Sequence, residues 1–532
     1  HKKEENTSTI PEISAENIEA HVTFLAADAM LGRDTGSKEY TIAANYVAGY
    51  FSQLGLEPIG ENASYFQSVP FHNVKINGVA SSLSIGDRTF TLGEDYLMGG
   101  NSNHVEGTAS APVVFVGYGI DAPALGVNDY EGLDVTGKIV LILNGKMPTL
   151  PSEAAAHYGR DDTKESTAIA KGAVGVLMMV APTSRRDFDA FKQRANSPDG
   201  RLDIVRDGFD MESTSTVTAM VSPILAATLI AGSGHDYYTV MEQAKVGPVK
   251  GFDLNSSVTM TQKTDFVTAP SSLNVAAVLR GSDPVLRDEY IIISAHLDHI
   301  GWRPEMAGDN IYNGALDNAA GIATMMEAAR AFSKGKQAPK RSIIFLAVTA
   351  EEKGLLGADY FAHIPTVPKE TIKANVNLDM PVLLYDFADL IAFGSDHSTI
   401  GPIVDAALSK IGVKLSADPM PEEGIFTRSD HYRFVQQGIP SVMMATGWTS
   451  IHPDNPMEGK EKFMGFLEKD YHSPRDQIDQ GINWQAGAKF ALANYLIIEG
   501  LANADAAPLW YEGDVFGNIF AKQAAKAPVT AE

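Results

Sequence analysis

From about residue 265 onward, short apolar runs alternate with segments of helical periodicity, and this rhythm constrains the fold more than any other feature of the chain. The runs are NVAAVLR (274–280), YIIIS (290–294), SIIFLAV (342–348) and NVNL (375–378), and helical patterns cover 318–333, 352–363 and 484–501. A strand with one face in water alternates apolar and polar residues, whereas a strand covered on both faces reads as nearly continuous Val, Ile and Leu. The expected class is therefore α/β, a mostly parallel (mixed) sheet flanked by helices. In such sheets functional groups collect outside the carboxyl ends of the strands, so the residues that follow each run are the first place to look for chemistry.

The preceding sequence has a different texture. Two amphipathic helical segments open it, the first with Ile18, Val22 and Leu25, the second with Ile42, Tyr46, Tyr50 and Leu54 and with Gly55 and Pro58 as stop signals. Between about 75 and 262, short β-type runs are separated by Gly, Asn and Asp, and one helical stretch, ESTAIAKGA, leads into the strand VGVLMMV (174–180). Residues 73–262 are expected to form a β-rich inserted domain, interrupting a catalytic domain built from 1–72 and 263–532. The closing KQAAKAPVTAE reads as a frayed tail.

Composition narrows the functional classes. The chain has 532 residues, 42 Lys plus Arg against 66 Asp plus Glu, and a formal charge of −24. That balance argues against nucleic acid or an anionic membrane as partner. No apolar run reaches the roughly 18 residues of a membrane span. There is no cysteine, so disulfides and thiolate metal sites are both excluded, and any bound metal must be held by nitrogen and oxygen. The sequence opens HKKEENTSTIPE, without Met and without an apolar signal segment; the expectation is an exported protein, periplasmic or secreted, with its signal peptide removed.

Acids and histidines stand where the apolar runs end. His296 follows YIIIS, Glu351 and Glu352 follow SIIFLAV, and Asp379 follows NVNL; Asp317 precedes the helical segment NAAGIATMMEAARAF, and His472 lies in a loop before the last long helix. Each has an ordinary reading alone. Asp317 could cap its helix, the two glutamates could complement a helix dipole, and His296 could be a hydrogen-bonded core histidine. Together they are harder to explain, because several acids on one sheet edge repel and lose solvation unless cations compensate. Two divalent ions against Asp317, Glu352, Asp379 and one hydroxide balance to zero, which suits a two-metal hydrolytic site. Zinc is favoured by the imidazole and carboxylate donors. Glu351 is left over for proton transfer.

The order of HLDHIG, LDNAAG, AEEKGLLG, NLDMP, RSDHYRF, GIPSVMM and YHSPRD resembles that in co-catalytic zinc aminopeptidases, the group of the bacterial leucyl aminopeptidases and glutamate carboxypeptidase II. The likeness extends to the LGRDTGS segment, and the insert, with APVVFVGYGI, GLDVTGKIVLILNG and IAKGAVGVLMM, resembles a protease-associated (PA) domain. The resemblance implies two zinc ions per chain, bridged by Asp317, with His296 and Asp379 on one ion and Glu352 and His472 on the other. It further implies that Glu351 is the general base and that Asp298 hydrogen-bonds the far nitrogen of His296. A cis peptide bond between Asp317 and Asn318 belongs to the same expectation. The substrates would be peptides, trimmed from the N-terminus. The alternatives are a glutamate-carboxypeptidase-like enzyme acting at the C-terminus and a non-enzymatic transferrin-receptor-like binding protein.

One position departs from the family. A Tyr that helps stabilise the oxyanion in several of these aminopeptidases lies three residues before the SDH triplet, and here that position is Phe426. Either another donor serves, with Arg428 and His431 as the candidates, or zinc alone stabilises the charge. Ser429, Asp430 and His431 carry serine-protease residue types, but three consecutive residues cannot line up as a relay. Trp302, Phe426 and Trp448 could line an apolar substrate pocket, but core or rim packing accounts for each of them at least as well.

Overall fold

A computed structural model describes residues 10–211 and 213–529. The opening HKKEENTSTIPE, on which the expectation of export rests, lies largely outside the described residues. The chain divides into two compact units, one made of 1–70, 270–420 and 428–532, the other of 71–269 and 421–427.

In the first unit four strands run parallel, in the order Ser342–Val348, Tyr290–His296, Ile372–Leu378 and Ser441–Thr446. The last residues of the strand Phe252–Leu279 pair antiparallel with Ser342–Val348. On the opposite side Asp389–Phe393 pairs antiparallel with Ser441–Thr446 and carries Lys414–Ser416 at the edge. The sheet is thus mostly parallel and mixed. Every residue of Tyr290–His296 and Ser342–Val348 is buried, which is why these runs carry no polar alternation.

The two faces are covered by different helices. Phe345 packs between Phe51 of the helix Lys38–Gln53 and Phe332 of Ala320–Ser333. Its neighbours Ile344 and Leu346 join a core on the other face with Phe361 and Phe434. Ala15–Leu25, Ala320–Ser333 and Trp484–Asn503 pack against one another. Ser14, Ser37 and Asn483 each cap the helix that follows by accepting a main-chain N–H, as their short polar side chains allow.

Two local expectations are corrected. The helix expected from 352 begins at Leu356. Residues 350–355 instead form a turn with Ala350, Gly354 and Leu355 at φ of 57°, 117° and 60°, a conformation no helix can contain. The tail is not frayed at 527, because Ala527 exchanges main-chain hydrogen bonds with Trp510 and Glu512.

In the second unit, Glu106–Phe115, Ile139–Asn144, Gly175–Val180 and Thr218–Val221 are parallel neighbours. The first residues of Phe252–Leu279 close this sheet antiparallel to Glu106–Phe115. Helices Asp161–Ala170, Pro223–Ala231 and Tyr237–Ala244 accompany the strands, and separate apolar cores form around Leu141 and around Val140.

Candidate active site

The parallel strands of the first unit deliver their chemistry at one edge. His296 is the last residue of its strand, Asp379 follows Ile372–Leu378 directly, and Glu351 and Glu352 sit in the turn after Ser342–Val348. His296 Nε2 lies 3.0 Å from Asp379 Oδ1, 3.1 Å from Asp317 Oδ1 and 3.8 Å from Glu351 Oε2. His472 Nε2 lies 3.1 Å from Asp317 Oδ2 and 3.1 Å from Glu352 Oε2. Asp317 therefore turns one oxygen toward each imidazole. All five residues expected to hold metal, and Glu351, are brought together.

The electrostatics of this cluster show a deficit of positive charge. Burial alone would lower both histidines, yet the surrounding carboxylates hold His296 well above the usual imidazole range and raise His472 to about 10. Burial would raise Asp317, but its contacts with His296 and His472 hold it well below the carboxylate range. Burial pushes Glu351 well above that range, with Asp379 and Glu352 adding to the push. Nitrogen and oxygen donors about 3 Å apart match the edge of a tetrahedron with metal bonds of roughly 2.0–2.1 Å. The donor set therefore fits zinc: His296 is grouped with Asp317 and Glu352 and with Glu351 and Asp379, His472 adjoins Asp317 and Glu352, and no thiolate is needed.

The backbone around the site is held in costly conformations. Ala350, Met380 and His472, each next to or among these residues, have φ of 57°, 51° and 51°. A non-glycine residue there costs roughly 1–2 kcal/mol, and such residues concentrate at functional sites. The Asp317–Asn318 peptide bond is cis. Gly314, at φ +62°, begins this segment; a Cβ there would lie 2.4 Å from the Asp317 carbonyl oxygen and 2.6 Å from His299 Cγ, so no other residue fits.

A layer of buried polar groups fixes these segments. Asp298 faces His296 Nδ1 with two oxygens: its main-chain carbonyl lies 3.0 Å away and its carboxylate Oδ1 3.5 Å. The carbonyl can only accept, so Nδ1 carries a hydrogen and Nε2 faces the acids. The Asp298 carboxylate also accepts from the main-chain N–H groups of Glu351 and Glu352, at 3.0 and 3.1 Å, and so pins the turn that presents them. Asp476 accepts from the N–H groups of Leu316 and Asp317, at 2.9 and 3.0 Å. Asn318 donates to the carbonyls of His296 and Leu378 and accepts from Met380 N–H, joining three segments through one amide.

Arg33 is fully buried and donates to the carbonyls of Leu25, Leu297, Asn313 and Gly314, which brackets the loops holding His296 and Asp317. Burial lowers its pKa to about 10, against the pull of Asp298, Asp476 and Asp317. A chain of hydrogen bonds also runs from Asn375 through Ser294, Asn377 and Ser429 to Asp379, whose Oδ2 accepts from Ser429 at 2.5 Å. Ser429 thus serves a carboxylate and not a proteolytic relay.

Other sequence-derived candidates fall in varied places. Phe426 and His431 are fully buried, whereas Arg428 is exposed. Trp448 packs against Phe463 beneath Lys460, and Trp302 is 47% exposed. Sequence reasoning passed over Tyr471, whose ring stacks on His472 with centroids 3.8 Å apart. Burial raises its phenol far above the usual range, reinforced by Asp317, Glu352, Glu351 and Asp379. It also passed over His299, Asp476 and Arg33; their only signal was their place inside HLDHIG, YHSPRD and LGRDTGS.

A parallel sheet that gathers carboxylates and imidazoles at its carboxyl edge offers donors of the kind that hold divalent cations. Residues 274–497 match Peptidase family M28, so the chain carries an M28 peptidase domain. A probable zinc metalloprotease of Pyrenophora teres f. teres is 36% identical over 131 residues, 24% of this chain and 27% of that protein. A probable leucine aminopeptidase 2 of Aspergillus oryzae is 26% identical over 248 residues, 42% of this chain and 45% of the other. The chain thus spans less than half the length of these relatives. Among solved structures, an aminopeptidase from Aneurinibacillus sp. strain AM-1 is similar at 19% identity and a TM-score of 0.47, covering 98% of each chain. Among the described residues no helix is long and apolar enough to cross a membrane.

Proposed function

We propose that this chain is a zinc-dependent aminopeptidase that holds two zinc ions and hydrolyses the N-terminal residue from peptides. The observation that carries the reading is Asp317, whose two oxygens each lie 3.1 Å from a different imidazole. On that geometry His296 and Asp379 would hold one ion, Glu352 and His472 the other, with Asp317 between them. Bound there, the ions would polarise the scissile carbonyl and acidify a water molecule.

The protein groups supply the remaining chemistry. Glu351 lies beside the ligands, 3.8 Å from His296 Nε2, without a short contact of its own to a ligand imidazole. It is placed to take a proton from the attacking water and return it to the leaving amine. Phe426 offers no hydroxyl and is buried; Tyr471, stacked on His472, takes over as donor to the developing oxyanion. The insert is read, in the same proposal, as a protease-associated domain, supported by its GKIVLILNG strand and the helix that follows it.

The deciding experiment compares three versions of one peptide: free at both ends, N-acetylated, and C-amidated. The free and C-amidated forms should be trimmed stepwise from the N-terminus, and the acetylated form should resist. Equal cleavage of the acetylated form, with release from the C-terminal end, would replace this reading by a carboxypeptidase.

A further inference from the structure

We propose that His299 is a positioning residue that selects which oxygen of Glu352 serves the second metal site; the inference rests on the two-ion reading above. Its imidazole is fully buried, and Nδ1 lies 2.9 Å from Glu352 Oε1. A carboxylate oxygen only accepts, so Nδ1–H donates. That leaves Glu352 Oε2, the atom 3.1 Å from His472 Nε2, as the oxygen facing the ion. With Oε1 occupied by a donor, Glu352 is confined to one-oxygen ligation. A low coordination number of that kind keeps a position open for water and substrate.

The ring has little freedom to do anything else. Gly314 approaches it so closely that a Cβ would lie 2.6 Å from His299 Cγ, and His472 meets it edge-on at 5.8 Å. The main-chain N–H of His299 donates to the Arg33 carbonyl at 3.2 Å, which anchors the residue to the same bracket that holds the His296 and Asp317 loops. The other ring nitrogen, Nε2, is buried without a hydrogen-bond partner among the described residues. A position that only needed volume would be better filled by an apolar ring, since an orphaned buried nitrogen is a cost. The hydrogen bond to Glu352 is what the imidazole contributes there. Asp317 Oδ2, at 4.0 Å from Nδ1, is too distant to share it.

The geometry discriminates between substitutes. The amide nitrogen of Asn overlays Nδ1 of His, whereas that of Gln overlays Nε2. His299→Asn, His299→Gln and His299→Ala are prepared as full-length chains, stripped of metal and titrated with zinc against a chromophoric chelator. The parent should bind two ions. His299→Ala and His299→Gln should weaken the second ion by about 10–100-fold and leave the first unchanged, and His299→Asn should return to within about threefold of the parent. The d–d spectrum of the cobalt-loaded protein should change in the Ala and Gln variants and return toward the parent's in Asn. Unchanged zinc affinity in all three, or equal weakening of both ions in all three with lowered melting of the metal-free chains, would reduce His299 to a packing residue and overturn the proposal. A parent that binds one ion only would instead overturn the two-ion reading, and this inference with it.

Discussion

Two sheets in this molecule end in buried polar clusters, and they resolve their charge in opposite ways. In the 71–269 unit, Lys164 is fully buried after the strand Ile139–Asn144 and donates to the carbonyls of Leu143 and Gly145, at 2.7 and 2.9 Å. Asn144 beside it donates to Asp161 and accepts from Ser184, so the edge satisfies its own donors and acceptors. Burial lowers Lys164 to about 7, with Asp161 and Asp129 opposing the fall. At the edge proposed to be catalytic, acids crowd two imidazoles, His296 and His472, and on the two-ion reading the cluster is balanced by added cations. A polar edge that completes itself is structural. One that stays incomplete without an added ion is a site.

The sharpest way to test the contrast is to change one acid at the incomplete edge. Glu351→Gln keeps the shape but cannot take a proton, so kcat should fall by about 10²–10⁴-fold while zinc content is unchanged. Zinc lost together with activity would make Glu351 a ligand, and near-normal turnover would remove it from the mechanism. Chelation should come next in size. Removing zinc should cost the catalytic unit about 4 kcal/mol relative to free zinc at 1,000 times Kd, seen as faster amide exchange in 290–296 and 342–348. Exchange in 139–144 should not change, and equal acceleration in both would refute the division. Tyr471→Phe should lower kcat by roughly 10–100-fold with KM little changed, and an unaltered kcat would send the search for an oxyanion donor elsewhere.

The self-completing edge should respond in stability. Lys164→Met leaves two buried carbonyls without their ammonium donor and should destabilise the insert by about 1–3 kcal/mol in urea unfolding. A more stable variant would mean the ammonium was merely tolerated. The smallest effect is shared by both units. Burial holds His21 and His157, one in each, down to about 4, against Glu327 for the former and helped by Arg160 for the latter. The folded pKa lies below the unfolded one, so the unfolded chain takes the proton first as pH falls. Stability is complete above about 6.5 and is lost toward about 4, on the order of 1–3 kcal/mol per histidine. Metal-free protein should show this slope in both units, and His21→Gln or His157→Gln should flatten it in one; a slope untouched by either change would assign it to other groups.

Much of the catalytic edge was legible because its logic is local. An apolar run fixes a buried strand, and polar residues just beyond it emerge at the strand's end; this places His296 and Asp379 directly and Glu351 and Glu352 one short turn further on. The supporting groups were illegible for the opposite reason. Asp476 acts on main-chain N–H groups at Leu316 and Asp317, 160 and 159 residues away, and main-chain partners leave no mark in a sequence. The turn at 350–355 was hidden in the same way, since Glu, Lys and Leu favour helix and distant groups hold them out of it, among them the Asp298 carboxylate on two N–H groups and Arg433 on the Gly354 carbonyl. Asp298 carried the right residue type for its place beside His296, but its hold on the N–H groups of Glu351 and Glu352 had no mark in the sequence.

The four carbonyls held by Arg33 impose a timetable on synthesis. Arg33 emerges from the ribosome 264 residues before Leu297 and 281 before Gly314. At about 5–20 residues per second its guanidinium waits roughly 10–60 s for those acceptors. Within that interval the whole 71–269 segment is produced and is free to collapse first. The bracket around the His296 and Asp317 loops therefore closes only after the 71–269 segment has been made, and the nascent chain passes through a stage in which most of one unit is present and the other is still waiting for its own downstream half.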